Sequence, residues 1–236
     1  MNTLCFELCV ESVEAACAAE AGGAHRIELC GTLSDGGTTP CFDLMQATVN
    51  AISIPVSVLI RPRHGGFVYS DQELERMRQQ IGEAKCAGAA SVVVGVLLGD
   101  GRVDVARTRE LVELAQPMRA TFHRAFDQTP DLDEALGDVI ATGARCLLTS
   151  GGKPDVLAGA DAIGSIRVRA AGRIEVMAGG GLRIGNLAEV VRRSGVSCLH
   201  SSLTGNGAKA AALEGDLRAA IRLFHEVWNN GVASPA

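Results

Sequence analysis

Short apolar runs alternate with longer amphipathic, alanine-rich segments along the whole chain. The apolar runs have the length and residue types of buried strands, and the segments between them have the character of helices. The predicted strands are Leu4–Cys9, Arg26–Cys30, Val56–Arg61, Ser91–Leu97, Arg119–His123, Arg145–Ser150, Arg173–Ala178 and Val196–Ser201. The predicted helices are Ser12–Ala21, Asp43–Ile52, Asp71–Ala87, Asp104–Ala115, Asp131–Thr142, Leu157–Ala170, Asn186–Ser194 and Leu213–Trp228, with Asp71, Asp104, Asp131 and Asn186 as N-caps.

Strict alternation of strand and helix predicts parallel strands, because each helix returns the chain to the same edge of the sheet. The predicted strands start roughly every 22–35 residues, which is the pace of a (β/α)8 barrel, the TIM barrel. An open doubly wound sheet is the alternative, but it usually has a glycine-rich turn after its first strand, and Cys9-Val10-Glu11-Ser12 is not one. No change of composition divides the chain, so we expect one domain over residues 1–236, with 229–236 as a frayed tail.

Composition and charge indicate which cellular compartment and which binding partners fit the chain. The formal net charge of −5 offers no overall attraction for nucleic acid or acidic membranes. No apolar run approaches the ~20 residues that cross a bilayer, and no signal peptide is apparent. The eight cysteines are spread through predicted strands and helices without a C-x-x-C pair. This distribution favours reduced thiols in the cytoplasm over disulfides or a structural zinc site.

Polar residues gather at the carboxyl ends of the predicted strands, which is the catalytic face of a barrel of this kind. The fifth strand runs into Thr121–Asp127, where His123, Arg124 and Asp127 lie within five residues. A histidine moves protons near neutral pH, an arginine is a fixed cation, and an aspartate can orient either. We expect His123 to face the barrel axis as an acid or base, with Arg124 or Asp127 bending over the mouth.

The first two strands share the tripeptide Glu-Leu-Cys, which contains Glu7, Cys9, Glu28 and Cys30. These strands are neighbours in a barrel, so an equal register would place the two carboxylates side by side and the two thiols one step higher. Two nearby carboxylates raise one pKa unless a cation intervenes, and Arg61 is the expected cation. Glu7 or Glu28 is then a candidate acid–base partner of His123. The alternative is that both are structural ion-pair partners of Arg61 and Arg63.

A second group of residues predicts an anion site. Arg61 and Arg63 end the third strand two residues apart, so strand alternation aims both guanidinium groups the same way, toward a carboxylate or phosphate. Loops seven and eight of a barrel often hold phosphate through backbone N–H groups. Arginines at the opposite strand ends are expected at the surface. The remaining anion-site candidates at the carboxyl ends are Arg124, Ser150, Gly179, Gly180, Gly181 and Ser201.

Several strand-end motifs occur together and in order. They include Glu7-Leu8-Cys9, Arg26–Cys30, Gly36–Pro40, Ile60–Arg63, Phe67–Ser70, Thr121–Asp127, Leu148–Gly151 and Gly179–Gly181. Together they resemble the CutC family of copper homeostasis proteins, over nearly the whole chain. The resemblance implies a TIM barrel, a cytoplasmic location, a homodimer or higher homo-oligomer, and copper as the ligand, with Cys9 and Cys30 as its proposed ligands.

Two functional hypotheses therefore stand. The first is copper binding or handling through Cys9 and Cys30, since Cu(I) prefers soft thiolate ligands. The second is an isomerase- or lyase-type enzyme for a small phosphorylated or carboxylated metabolite, bound in a basic pocket at the carboxyl strand ends. Such chemistry needs no nucleotide cofactor, and no dinucleotide fingerprint is present. A barrel that serves only as a scaffold is the third possibility.

Overall fold

A computed structural model of the chain describes residues 4–33, 36–203 and 210–231. Eight parallel strands close into a barrel in chain order, with the eighth strand beside the first, which confirms the predicted (β/α)8 fold. The strands are β1 Cys5–Val10, β2 Arg26–Leu29, β3 Val56–Leu59, β4 Ser91–Val94, β5 Arg119–Phe122, β6 Cys146–Thr149, β7 Glu175–Ala178 and β8 Cys198–Ser201. The helices are α1 Val13–Ala21, α2 Phe42–Ala51, α3 Asp71–Ala87, α4 Val105–Ala115, α5 Leu132–Ala141, α6 Ala160–Ala170, α7 Ile184–Ser194 and α8 Ala210–Gly231.

Helix starts follow from local side-chain chemistry. Asp104 and Asp131 are confirmed as N-caps, since each carboxylate accepts a hydrogen bond from a backbone N–H in the first turn. Asp71 was expected to cap α3, but Ser70 is the cap, and Ser70 and Glu73 form a reciprocal capping box. Asn186 is likewise not the cap of α7. It is the third residue of that helix, and its side chain accepts a hydrogen bond from the N–H of Arg183.

The main core lies between the barrel and the surrounding helices. Phe6, Leu8, Phe122 and Phe224 are fully buried in it, together with alanines of α1 and α3 that let the helices approach the strands closely. Short side chains on the helices and branched ones on the strands explain why so few aromatic residues suffice. None of the described helices is both long enough and apolar enough to cross a membrane.

Strand register corrects one expectation. Glu7 pairs with Arg26 and Cys9 with Glu28, so β2 is shifted by two residues relative to the equal alignment of the two Glu-Leu-Cys tripeptides. A closed barrel requires such stagger between tilted strands, and periodicity along one strand carries no information about it. The two glutamates therefore lie at different levels of the barrel, and Glu28 is level with a thiol rather than with Glu7.

The last helix continues into the segment that was predicted to fray. Helix α8 ends at Gly231, so residues 229–231 are helical. The remainder of the predicted tail, residues 232–236, lies outside the described residues, as do residues 204–209 of the eighth loop.

Candidate functional site at the carboxyl ends of the strands

A cavity of about 220 Å³ opens at the carboxyl ends of the strands and is called the carboxyl-end cavity below. Its wall combines one thiol, one carboxylate, two imidazoles and three guanidinium groups with apolar side chains. These polar residues are Cys9, Glu28, His123, His200, Arg61, Arg124 and Arg183. Leu33, Leu59, Phe67 and Leu148 supply the apolar part. Strand alternation turns these groups inward, and the βα loops bring the arginines over them.

An ion pair lies beneath the cavity. Arg26 Nε donates to Glu7 Oε2 at 2.6 Å, and the Glu7 side chain is 1% exposed. Arg26 was expected at the surface, as a residue that starts a strand, but it points into the barrel. Burial alone would raise the pKa of Glu7, yet the hydrogen bond from His200 and the charge of Arg26 lower that pKa to about 2. Glu7 is therefore an ionised structural anion, and its counter-ion is Arg26 rather than Arg61.

His200 joins this ion pair to the cavity. Its Nδ1 lies 2.8 Å from Glu7 Oε1, and its Nε2 lies 3.7 Å from Glu28 Oε2. Burial opposes protonation, but the two carboxylates outweigh it and raise the pKa of His200. The pKa of Glu28 is also raised, first by burial, with the charge of His200 acting the other way. His200 and Glu28 thus form an acid–base pair in which burial favours the protonated carboxyl group and the two carboxylates favour the protonated imidazole.

Cys9 lines the cavity, and Cys30 is fully buried behind it. Their sulfur atoms are 3.3 Å apart, and both residues are buried. The pKa of Cys9 is raised well above its ordinary value by the hydrogen bond with Cys30, by burial and by the charge of Glu28. Cys9 Sγ, a carboxylate oxygen of Glu28 and a ring nitrogen of His200 also lie within 4.8 Å of one another. One soft and two harder donor atoms therefore lie close enough together here to bind a single metal ion.

His123 lines the cavity but is not a proton carrier near neutral pH. Burial and the neighbouring charge of Arg61 lower its pKa to about 3, so the ring is neutral. Its Nδ1 accepts the N–H of Ala125 at 3.2 Å, which leaves the proton on Nε2. Gly95 permits this position, because a Cβ there would lie 2.4 Å from Cε1 of the ring. His123 is a fixed hydrogen-bond donor in this state.

Arg61 is held in place by the loops around it. Its Nη1 donates to the carbonyl oxygens of Gly36 and Gly37 at 2.9 Å, and its Nη2 donates to Gly65 at 2.7 Å. The guanidinium carbon is 5.1 Å from the centre of the Phe67 ring. Arg61 Nε and His123 Nε2 are buried without a hydrogen-bond partner among the described residues. Buried donors without a partner indicate that an acceptor from a ligand or ordered water belongs beside them.

Arg124 reaches the cavity from a 3-10 helix, Arg124–Gln128, that begins directly after β5 and His123. The strand ends before Arg124, so strand alternation does not force Arg124 away from His123. Its Nε donates to Asp127 Oδ2 at 2.9 Å, and its Nη2 donates to Ser150 Oγ at 2.8 Å. Asp127 also accepts hydrogen bonds from Thr149 and from the N–H groups of Ser150 and Gly152. Asp127 and Ser150 therefore orient Arg124 and lie outside the cavity wall.

The glycine loop after β7 forms the opposite side of the cavity. Gly180 and Gly181 line it, whereas Gly179 packs against Leu148 and His200. Gly180 has a φ of +99°, and a Cβ on it would lie 2.7 Å from the guanidinium carbon of Arg124. No hydrogen bond between described residues uses the N–H groups of Gly180 and Gly181. Ser201 lines the cavity as well and donates to the carbonyl of Leu182, which fixes this loop.

The predicted site residues are thus only partly brought together. Arg63 turns away from Arg61, forms an ion pair with Glu73 and lies over the Tyr69 ring, because the strand ends before it. Two titratable residues of the wall had no predicted role, namely His200, which was expected only at a strand end, and Arg183. His200 follows from ring closure, since β8 must lie beside β1 and its end must meet Glu7. Arg183 follows a glycine-rich βα loop, which is the usual place for an anion-binding side chain.

The fold and this cavity define the chain as a (β/α)8-barrel protein with a polar ligand cavity at the carboxyl ends of its strands. A model of the CutC family matches residues 4–205, and the chain belongs to that family. A CutC family protein of Chromobacterium violaceum is 43% identical over 205 residues, which cover 87% of this chain and 83% of the relative. The human copper homeostasis protein cutC homolog is 44% identical over 201 residues, covering 85% and 74%.

Solved structures agree with this assignment. The crystal structure of the CutC protein from Streptococcus agalactiae superposes with a TM-score of 0.80 at 29% identity, covering 85% of this chain and 99% of that one. Thiamine phosphate pyrophosphorylase from Pyrococcus furiosus reaches a TM-score of 0.65 at 16% identity, covering 95% and 96%. The second likeness concerns the fold alone.

The Glu7–Arg26 pair predicts a large loss of stability in Glu7→Gln. Removal of the Glu7 charge leaves the largely buried guanidinium of Arg26 with only its longer contact to Glu175, at 3.4 Å, and loss of a buried partner costs about 3–5 kcal/mol in the free energy of unfolding. We expect this difference in urea denaturation at pH 7. Because the folded pKa of Glu7 is about 2, the contribution of its charge is complete above about pH 4.5 and is lost as the pH falls toward 2.

Glu73→Gln is the matched control for this loss. It weakens the more exposed Arg63–Glu73 pair and keeps an oxygen for the capping box, so about 1 kcal/mol or less is expected. Equal losses of unfolding free energy in the two variants would contradict a special role for the Glu7–Arg26 pair.

Histidine titration by NMR tests the electrostatics of the cavity. His200 should titrate above its ordinary value of about 6.5, whereas His123 should stay neutral until about pH 3. Since the folded pKa of His200 is raised, its charge contributes stability fully below about pH 6.5, and this contribution is lost as the pH rises through the folded pKa.

Spectra of His123→Gln and His200→Gln assign the two NMR signals. A normal titration of His123 would show that its ring is accessible and protonated.

Proposed function

We propose that this protein handles copper in the cytoplasm and binds Cu(I) as cargo through Cys9 and Cys30. The observation that carries this proposal is the buried approach of the two sulfur atoms to 3.3 Å at the wall of the cavity. Soft thiolates are the ligands that Cu(I) prefers. Glu28 and His200 lie close enough to Cys9 to contribute a further donor. The donor set fits a monovalent soft ion, and the family name agrees with it.

The charge of the cavity supports this proposal. Two thiolates around one Cu(I) carry a net charge of −1, so the loaded site is an anion even though the free ion is a cation. Arg61, Arg124 and Arg183 line the same cavity and favour that anion. Binding must release the proton of Cys9, whose pKa is raised, so the affinity for Cu(I) should increase with pH.

Anaerobic competition with a chromophoric Cu(I) chelator tests this function. Loss of an outer-shell partner weakens metal binding by ~10–100-fold. Cys9→Ser and Cys30→Ser each remove a direct ligand, so each should weaken Cu(I) binding by at least that factor. Cys146→Ser is the matched control, since Cys146 is also buried in a strand but lies in a different cluster. Undiminished Cu(I) affinity in the Cys9→Ser, Cys30→Ser double variant would refute the proposal.

A second candidate function rests on a separate observation, namely the unpartnered donors of Arg61 and His123 beside a cavity lined by three arginines. These groups, with the N–H groups of Gly180 and Gly181, suit a small phosphorylated or carboxylated metabolite. Glu28 would take or return a proton, and His200 would stabilise the charge that develops. This arrangement supports isomerase- or lyase-type chemistry at the cavity.

Thermal-shift screening against phosphorylated and carboxylated metabolites tests the second function. A ligand at 100 times its Kd stabilises the folded protein by about 2.7 kcal/mol. Arg183→Gln should abolish most of the shift, because Arg183 lines the cavity. Arg193→Gln is the control, since Arg193 pairs with Asp161 and Glu189 on the outer helices. Identical shifts in both variants would rule out the cavity as the binding site.

Location and assembly are also proposed here. The described cysteines are all free thiols, which supports a reducing compartment such as the cytoplasm. We further propose one domain for the whole chain and a homodimer or higher homo-oligomer. Light scattering coupled to size-exclusion chromatography measures the number of subunits, and a monomer at micromolar concentration would contradict the oligomer.

A further inference from the structure

A second group of cysteines lies in the lower half of the barrel, away from the carboxyl-end cavity. Cys146 and Cys198 pack with Met177 in a small buried cluster, with Cys5 against its edge. Arg26 Nη2 lies 3.2 Å from Met177 Sδ, 3.4 Å from Cys198 Sγ and 3.9 Å from Cys146 Sγ. A guanidinium among thiols is the kind of electropositive surrounding that makes a thiol reactive.

Register places two of these thiols for bond formation. Cys5 on β1 lies directly opposite Cys198 on β8, and both side chains face the interior. Neighbouring strands are about 4.7–4.9 Å apart, which lies within the Cα separation of about 4.4–6.8 Å that a disulfide needs. Cys146 is on β6, two strands from β8. It also lies two residues lower, since Cys146 pairs with Glu175 and Cys198 with Met177. Its Cα is therefore more than about 9 Å from that of Cys198, too far for a disulfide.

A separate cavity reaches this group from the other end of the barrel. This amino-end cavity has a volume of about 280 Å³ and is lined by Cys5, Arg26 and Cys146, with Arg119 and Arg145 at its wall. Cys5 is partly exposed, whereas Cys198 is fully buried. A small molecule in the amino-end cavity therefore meets Cys5 before it can meet Cys198.

The two thiols differ in character. The pKa of Cys5 is lowered by the hydrogen bond from Cys198, against the effect of burial, and also by the charge of Arg26. Cys198 is fully buried and does not line the amino-end cavity. Cys5, beside the guanidinium of Arg26, is thus the thiol that attacks an oxidant first, and Cys198 is the thiol that reacts second.

We propose that Cys5 and Cys198 form a peroxide-reactive dithiol, in which Cys5 is oxidised first and Cys198 then closes a disulfide with it. In the first step the Cys5 thiolate attacks hydrogen peroxide. An S–O bond forms, the O–O bond breaks, and hydroxide leaves and is protonated to water. In the second step the sulfur of Cys198 attacks Cys5, the S–O bond breaks, and the proton of Cys198 leaves with that oxygen as water. The dithiol loses two electrons, and one peroxide becomes two waters.

This inference is independent of copper and of any metabolite, because it concerns residues at the opposite end of the barrel. It also distinguishes between two thiol pairs at opposite ends of the barrel. The sulfur atoms of Cys9 and Cys30 are 3.3 Å apart, but both residues are buried at the other end of the barrel, away from Arg26 and the amino-end cavity. Cys9 and Cys30 should therefore remain reduced under conditions that oxidise Cys5 and Cys198.

Peptide mapping of the wild-type protein tests the proposal without any substitution. Reduced protein is treated with a small excess of hydrogen peroxide, denatured, alkylated and digested. The expected product is a disulfide-linked peptide that joins Cys5 and Cys198, formed about tenfold or more faster than oxidation of the exposed Cys17. A link between Cys9 and Cys30, a link to Cys146, or earlier oxidation of Cys17 would overturn the proposal.

Two variants separate the roles of the pair. Cys198→Ser should stop at the sulfenic acid of Cys5, which dimedone traps and mass spectrometry locates. Cys5→Ser should remove both the disulfide and the trapped adduct. Cys146→Ser is the matched control, since it removes a buried thiol of the same cluster and should leave the Cys5–Cys198 link intact. A dimedone adduct on Cys198 in Cys5→Ser would show that Cys198 reacts with peroxide without Cys5, which would refute the mechanism.

Discussion

The ion pair between Glu7 and Arg26 is the interaction on which the rest of the barrel interior depends. It places a full negative and a full positive charge inside a closed sheet, where each would be prohibitively expensive alone. Above it, Glu7 holds His200, and His200 in turn faces Glu28 and the cavity. Below it, the guanidinium of Arg26 contacts three sulfur atoms. One pair thus sets the electrostatics of both ends of the barrel.

The two-residue stagger between β1 and β2 decides which groups share a level. An equal register would have set carboxylate against carboxylate. The actual register sets Glu7 against Arg26 and Glu28 against Cys9. Charged groups thereby lie in layers along the barrel axis. The ionised Glu7–Arg26 pair is in the middle, and Glu28 and His200, whose pKa values are shifted, are at the cavity. The chemistry proposed for Glu28, His200 and Cys9 follows from this layering more than from their order in the chain.

The fold was predictable because alternation of strand and helix and the spacing of eight units are local patterns. The face that carries the site was predictable for the same reason, since polar residues at strand ends are visible in the chain. Neither the register nor the inward turn of Arg26 was predictable, because both depend on how neighbouring strands are offset when the sheet closes. Arg63 was misplaced since alternation holds only as far as the strand continues, and β3 ends at Leu59. His200 was undervalued because its partner, Glu7, is 193 residues away.

The way in which Arg61 is held has a consequence for selectivity. Three carbonyl oxygens and the Phe67 ring fix its guanidinium before any ligand arrives, so the roughly 2 kcal/mol of rotamer entropy of an arginine side chain is lost during folding rather than during binding. Three of the five guanidinium N–H groups are already engaged, so Arg61 has two left for a ligand, and one of them is the Nε–H that has no partner among the described residues. The direction of these donors is set before the ligand arrives. Discrimination between ligands at this position then rests on where their acceptor atoms lie relative to fixed donors, and not on adaptation of the arginine side chain.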